Sequence, residues 1–198
     1  MTAGVSVSGV FSTAMPQTNE KSPAGADVVL RALRRTHQIR DLRPDPVRDE
    51  VLEELLEVAR WTGSSTNWQP WTFIVIRDRD RLTQLGELLP NASHVGRASF
   101  VIAVAMPGEK PEWESYDEGR VAERLLIAAE ALGLGAAMGW AYGPRRAQVS
   151  EFLGVPPPGY VRTLVSVGHA SDAAKAPKSA PGSARKPLSD LVKYERFG

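Results

Sequence analysis

The sequence contains no cysteine. This absence excludes disulfide bonds, thiolate metal sites and cysteine nucleophiles together. It is compatible with a reducing compartment, and we expect a cytoplasmic protein. Long hydrophobic runs are also missing, because no apolar stretch reaches the roughly 18 residues that a membrane-spanning helix needs. We therefore expect no membrane partner.

An excess of charge of one sign is missing as well. The chain has 24 Lys and Arg against 23 Asp and Glu, which gives a formal net charge of +1. Such a balance offers no general electrostatic reason to bind nucleic acid, so we expect no nucleic-acid partner. The 198 residues suit one domain with a sizeable core.

Composition divides the chain into three parts. Residues 1–25 are rich in Ser, Thr, Gly and Ala and lack the basic start of a signal peptide, so we interpret them as a flexible tail. Residues 26–170 form the predicted folded domain. Residues 171–198 form a C-terminal arm that begins with low-complexity sequence and ends with apolar residues between Leu188 and Phe197. We expect this arm to dock on a partner subunit.

Hydrophobic periodicity predicts an α+β fold, with helices covering three or four buried strands. The β-branched and apolar runs predict strands at 71–77, 99–106 and 160–168, and a shorter extended segment at 135–142. The helical pattern predicts helices at 26–36, from Asp45 to Gly63, at 79–89 and at 144–154.

A longer helix is predicted between residues 115 and 132. Ser115 and Glu118 have the spacing of a capping box, which would start the helix. Gly133 would end it as a C-cap. Its middle is apolar on most faces, which predicts burial in the core or in a subunit interface.

Common catalytic motifs are absent. There is no Walker A sequence and no Gly-x-Ser-x-Gly elbow, and the three histidines are scattered. The side chains thus offer no obvious nucleophile, base or metal site. If the protein is an enzyme, an organic cofactor is expected to carry the chemistry.

One short stretch concentrates polar and aromatic residues: GSSTNWQPW, residues 63–71. Its hydroxyls and side-chain amides suit a flat ligand whose edge alternates donors and acceptors. A solvated loop with two tryptophans in the core explains the residue types equally well. The residues by themselves leave both interpretations open.

The pattern Ser-Ser-x-Asn-x-Gln-Pro-Trp, followed by an apolar strand, resembles the flavin-binding segment of the nitroreductase family. Three further segments in the same order resemble that family: IRDLRPDPV, EALGLGAAMGWAYG and RKPLSDLVKYERFG. The resemblance covers residues 30 to 197. It implies a three-layer α+β fold with a central, mostly antiparallel sheet flanked by helices, an intertwined homodimer, and FMN bound between the subunits.

The resemblance also implies which residues bind the phosphate end of FMN. Arg40 keeps the type expected in the N-terminal motif and would bind phosphate or ribityl oxygens through its fork of N–H groups. His37 and Gln38 would donate hydrogen bonds where a basic residue and a serine are typical. Arg185 would bind the phosphate from the C-terminal arm. The alternative is that these cations are solvated.

Other residues would surround the flavin ring. By the resemblance, Ser64, Ser65 and Asn67 would hydrogen-bond FMN from the partner subunit. Four consecutive residues would lie against one face of the isoalloxazine: Met138, Gly139, Trp140 and Ala141. A backbone N–H near Ala141 would reach the reactive N5. Trp140 stands where many relatives have an acidic residue, so it changes the pocket wall.

The implied activity is that of an FMN-dependent oxidoreductase. NADH or NADPH would pass hydride through flavin N5 to a small-molecule electron acceptor, such as a nitroaromatic or a quinone. No catalytic side chain is required, since protons would come from water or from the flavin. The alternative, suggested by Trp140 and the altered N-terminal motif, is a flavin-sequestering or sensory protein without steady turnover.

Overall fold

The computed structural model of the protein describes residues 25–175 and 185–197. The predicted tail, apart from Gly25, and the middle of the low-complexity stretch lie outside the described residues. None of the described helices is both long and apolar enough to cross a bilayer.

Five strands form the sheet of the described chain, and each observed pairing is antiparallel. Strand β5 is central, with β3 and then β2 on one side and with β4 and β1 sharing the other side. The strand bounds are β1 Leu42–Arg43, β2 Thr72–Ile76, β3 Phe100–Met106, β4 Gly135–Trp140 and β5 Tyr160–Ala170.

Helices cover both faces of the sheet. Their bounds are α1 Ala26–Arg35, α2 Asp49–Arg60, α3 Arg79–Leu88, α4 Pro111–Ala131, α5 Pro144–Phe152 and α6 Leu188–Leu191. Short 3-10 segments occupy Ser65–Asn67, Pro90–Arg97 and Ala173–Lys175. The predicted three-layer α+β fold is confirmed.

Successive side chains of β3 point to opposite faces of the sheet, so this strand contributes to the core on both faces. Phe100 and Ile102 face α2 and α4, whereas Val101 and Ala103 face α3 and the 3-10 segment at 90–97. All residues of β3 are buried, as expected for a strand with neighbours on both sides and helices on both faces. Burial of these side chains is the main stabilising contribution.

The predicted start of the long helix is wrong. Helix α4 begins at Pro111, a residue type suited to the first turn because its missing N–H would be unsatisfied there anyway. Ser115 lies one turn inside and donates a hydrogen bond back to the carbonyl of Pro111 at 2.6 Å. Glu118 forms an ion pair with Arg162 instead of capping. The predicted end is confirmed, since Gly133 has φ +76°.

Two other boundaries differ from the prediction. Helix α2 begins at Asp49 rather than near Asp45, because Arg48 is still extended at φ −62°, ψ 150°. The predicted buried strand at 71–77 is an edge strand in the described chain. It pairs only with β3, and only Ile76 along it is fully buried.

Two predicted apolar surfaces face solvent in the single chain. Along α1, the exposed fractions of Val28 and Leu33 are 70% and 50%. In the C-terminal arm, Tyr194 and Phe197 are 79% and 97% exposed. The docking of the arm on a partner subunit therefore stays a prediction, and it returns below as part of the proposed dimer.

Candidate functional site

A cavity of about 560 Å³ opens beside the C-terminal end of β4. This volume lies within the range of about 300–1,000 Å³ typical of small-molecule sites. Four parts of the chain line it: the segment after α1, the first turns of α4, the end of β4 and the start of β5. Its lining residues are Gln38, Arg40, Ser115, Glu118, Gly119, Met138, Gly139, Trp140, Arg162 and Thr163.

The segment after α1 reaches the cavity because it binds the open edge of β4. The N–H of Ile39 donates to the carbonyl of Ala136 at 2.8 Å. The side-chain oxygen of Gln38 accepts from the N–H of Met138 at 3.2 Å and from Arg40 at 3.3 Å. Two sequence-predicted regions a hundred residues apart are thereby held together. Because the Gln38 oxygen is used here, its amide nitrogen is the atom that remains to donate to a ligand.

A backbone donor to the ligand was predicted near Ala141, and the N–H of Ala141 itself is already used within the sheet. Ala141 is fully buried, and its N–H donates to the carbonyl of Arg162 at 2.8 Å. Successive residues of an antiparallel strand point their N–H groups to opposite edges. The N–H of Trp140 therefore points to the same open edge as that of Met138. Among the residues near Ala141, the register of β4 on β5 makes Trp140 the candidate donor.

The Trp140 side chain forms part of the cavity wall and continues onto the surface. It is 59% exposed, and its ring packs against Tyr142 with centroids 6.1 Å apart and a tilt of 52°. The Tyr142 hydroxyl accepts a hydrogen bond from Asn91.

Hydrogen bonds within the loop and to α4 hold the polar loop that follows α2. The hydroxyl of Ser64 accepts from the N–H of Gln69 at 2.8 Å. The carboxylate of Asp117, which is buried, accepts from the N–H of Ser65 at 3.3 Å. Asn67 adopts a left-handed conformation with φ +58°, which asparagine tolerates better than most residues. Trp71 packs on Phe73 at 6.3 Å and contacts the core.

The structure brings five of the predicted site residues to one cavity. These are Gln38, Arg40, Met138, Gly139 and Trp140. The other predicted residues do not line this cavity: His37, Ser64, Ser65, Asn67, Ala141 and Arg185. His37 and Arg185 are exposed, and the His37 ring instead contacts the carbonyl of Arg35 at 2.9 Å. Ser64, Ser65 and Asn67 lie on the loop that Asp117 holds.

Sequence reasoning missed an ion pair in the cavity floor. Arg162 donates from Nε to Glu118 at 2.9 Å, and its Nη2 also contacts Glu118 and the Ser115 hydroxyl. The side-chain exposures are 15% for Arg162 and 2% for Glu118. The available signal was an arginine inside the apolar strand sequence YVRTLVSVG. A charge in such a strand needs a partner.

A buried histidine lies behind the same end of β4. His94 is 4% exposed, and its Nε2 has no hydrogen-bond partner within the described ranges. Burial, with the positive charges of Arg40 and Arg97, lowers the pKa of His94 to about 4. The imidazole is therefore neutral near pH 7, and one of the two cations that lower its pKa, Arg40, also lines the cavity.

Comparisons with known proteins agree with this fold. A model described as the nitroreductase family matches residues 33–92 and 79–169. The chain belongs to the nitroreductase family.

Individual relatives support the same assignment. A protein of Archaeoglobus fulgidus, provisionally named NADH dehydrogenase/NAD(P)H nitroreductase, is 34% identical over 64% of this chain and 76% of its own length. The NADH dehydrogenase of Thermus thermophilus is 27% identical over 74% of this chain and 88% of its own.

A solved structure shares the fold at low identity. An FMN-dependent nitroreductase of Clostridium difficile superposes with a TM-score of 0.74 at 23% identity, covering 84% of this chain and 98% of that one. At this identity the likeness concerns the fold alone.

Proposed function

We propose that this protein is an FMN-dependent oxidoreductase that uses NADH or NADPH to reduce a small acceptor, such as a nitroaromatic or a quinone. The observation that carries the proposal is the cavity in which Arg40, Gln38 and the open edge of β4 meet. When bound, FMN would supply a ring that takes hydride at N5 and passes the electrons to the acceptor. The names of relatives, which include an NADPH-flavin oxidoreductase of Vibrio harveyi, support this class of reaction.

The cavity residues fit such a cofactor. Arg40 offers a charged fork suited to phosphate, and Gln38 holds it in place through the hydrogen bond at 3.3 Å. The backbone N–H of Trp140 faces the open edge, where it would donate to a ring nitrogen. Met138 supplies an apolar surface next to it. The chain thus binds and orients the ring, and we assign no proton transfer to its side chains.

A second copy of the chain would complete the site. Ser64, Ser65 and Asn67 lie outside the cavity wall of their own chain, and Asp117 holds their loop in place through the N–H of Ser65. The apolar face of α1 and the apolar residues of the C-terminal arm are exposed and would be covered in a symmetric dimer. We therefore propose a homodimer in which the arm docks on the partner and this loop serves the partner's cavity.

The test is the visible spectrum of the purified protein with FMN. Added NADH or NADPH, without oxygen, should bleach the flavin bands, and an acceptor should restore them. A bound flavin that neither nucleotide reduces would replace this proposal with the flavin-sequestering alternative. A protein that stays colourless after FMN is added would overturn both.

Arg185 in the C-terminal arm provides a prediction about the phosphate. Arg185→Ala should weaken FMN binding by about tenfold, because a charge-assisted hydrogen bond is worth about 1.5 kcal/mol or more. The melting temperature of the FMN-free protein should change little, since Arg185 is exposed. Fluorescence titration with FMN measures the affinity. Arg196→Ala, in the same arm, is the control, and equal FMN affinity of R185A and parent would remove Arg185 from the site.

A further inference from the structure

The floor of the cavity contains a buried pair of opposite charges contributed by two different elements. Glu118 projects from the first half of α4, and Arg162 projects from β5. Both residues line the cavity, together with Ser115, whose hydroxyl accepts from Arg162 at 2.9 Å. The pair is therefore fixed in position from two sides before any ligand enters.

Some donor and acceptor atoms of the pair form hydrogen bonds, and others have no partner in the described chain. Arg162 binds Glu118 and Ser115 through Nε and Nη2, which leaves its Nη1 without a hydrogen bond to the described chain. Glu118 accepts these bonds on one carboxylate oxygen, while its other oxygen has no partner among residues 25–175 and 185–197. The low exposure of both side chains means that water screens their charges weakly.

A ligand that changes its own charge inside this cavity responds to both members of the pair. Two-electron reduction of FMN with uptake of one proton adds one negative charge to the ring system. Arg162 favours that added charge and Glu118 opposes it, and the balance depends on which group lies closer to the ring. Arg162 retains donors on Nη1, whereas the unpaired oxygen of Glu118 is buried and has no exposed surface with which to contact a ligand.

We propose that the Arg162–Glu118 pair sets the reduction potential of the flavin, with Arg162 stabilising the reduced form and Glu118 positioning Arg162 and moderating its charge. This inference rests on the proposed function. It assigns a role to two residues that lie outside the sequence segments from which the binding site was predicted. It also predicts that changes at the two residues shift the potential in opposite directions.

The test is the midpoint potential of bound FMN in variants that remove one or both charges of the pair. Glu118→Gln should favour reduced over oxidised flavin by on the order of tenfold, because a neighbouring unit charge at an effective dielectric constant near 20 is worth at least about 1.4 kcal/mol. Arg162→Gln should disfavour it by a similar factor. For a two-electron couple, tenfold corresponds to about 30 mV. The double variant should return close to the parent.

A matched ion pair outside the cavity is the control. Asp49→Asn and Arg77→Gln cause the same changes in net charge at an exposed pair, and screening should keep their effects below about twofold. Arg162→Gln leaves the buried carboxylate of Glu118 without its partner, and this change can unfold the protein. If it does, the test relies on Glu118→Gln and on the double variant, because neither contains an unpaired carboxylate.

The outcomes separate the inference from the proposed function. If flavin binds and NADH or NADPH reduces it, but the potential of Glu118→Gln stays within the range of the controls or moves in the negative direction, the inference is overturned and the proposed function stands. If the parent protein binds no FMN, the proposed function fails and the inference fails with it.

Discussion

Replacing Gly108 by alanine should lower the free energy of unfolding by about 3 kcal/mol, as the sum of two effects. Gly108 has φ +76°, a conformation that costs an L-residue about 1–2 kcal/mol. In addition, an added Cβ would lie 2.0 Å from the carbonyl oxygen of Pro158 and 2.7 Å from its carbonyl carbon. These are backbone atoms, so the contact cannot be relieved by rotating a side chain.

The surroundings of Gly108 also resist a shift of its backbone. Its N–H donates to the buried carboxylate of Glu114 at 3.1 Å, and the same carboxylate accepts from the N–H of Lys110 at 2.8 Å. Glu114 is itself fixed inside α4. A movement of Gly108 away from Pro158 therefore weakens hydrogen bonds at the start of the long helix.

A second glycine separates the two effects. Gly154 has φ +73°, but an added Cβ there has no heavy atom within 4 Å. Gly154→Ala should therefore cost only the conformational term, about 1–2 kcal/mol. Urea unfolding of both variants measures the difference. If the two variants lose equal stability, the contact with Pro158 relaxes without cost and this explanation is wrong.

Acidification should destabilise the protein by about 3 kcal/mol through His94 alone. The pKa of His94 is lowered to about 4 in the fold, from 6.5 in the unfolded chain. Above pH 6.5 both states are neutral at this residue. As the pH falls from 6.5 towards 4, His94 binds a proton in the unfolded state but stays neutral in the folded state. The free energy of unfolding therefore decreases over this pH range. One unit of pKa is worth about 1.36 kcal/mol, which gives the stated magnitude.

Variants isolate this contribution from that of the carboxylates, which titrate in the same acid range. His94→Gln removes the titration, so its unfolding free energy should fall less between pH 7 and pH 4.5 than that of the parent. Arg97→Gln keeps the histidine but removes one of the positive charges that lower its pKa, so its loss should be intermediate. Chemical unfolding at several pH values gives these slopes. Parallel curves for the parent and His94→Gln would contradict the assignment.

The sequence predicts well those helices and strands whose own residues carry a clear hydrophobic pattern or an end signal. The apolar run of β3 and the periodicity of α2 and α5 locate them to within a few residues, and Gly133 marks the end of α4. The start of α4 was mispredicted because Ser115 and Glu118 have the spacing of a local cap. Their actual partner is Arg162, 44 residues further along the chain from Glu118. The local sequence indicates that Arg162 needs a partner but does not identify Glu118 as that partner.

Some residues of the candidate site could likewise be predicted from local sequence, and others could not. Arg40, Gln38 and the Met138–Trp140 segment were found because they belong to recognisable sequence segments. The Arg162–Glu118 pair was missed because it depends on how α4 lies over β5. Which backbone N–H near Ala141 faces the open edge could not be predicted, since the alternation of N–H groups along β4 follows from its register on β5. Tertiary geometry decides each of these points.

The hydrogen bonds of Ile39 and Gln38 to β4 have a consequence for solubility. They occupy part of a strand edge that would otherwise present unpaired backbone groups to other molecules, and such edges are templates for aggregation. Natural proteins often cover an exposed edge with a loop, and here the covering loop is also the one that presents Arg40. Selection on this short segment therefore acts on two properties at once, and a substitution that detaches it would expose the sheet to intermolecular pairing while removing the cation from the cavity.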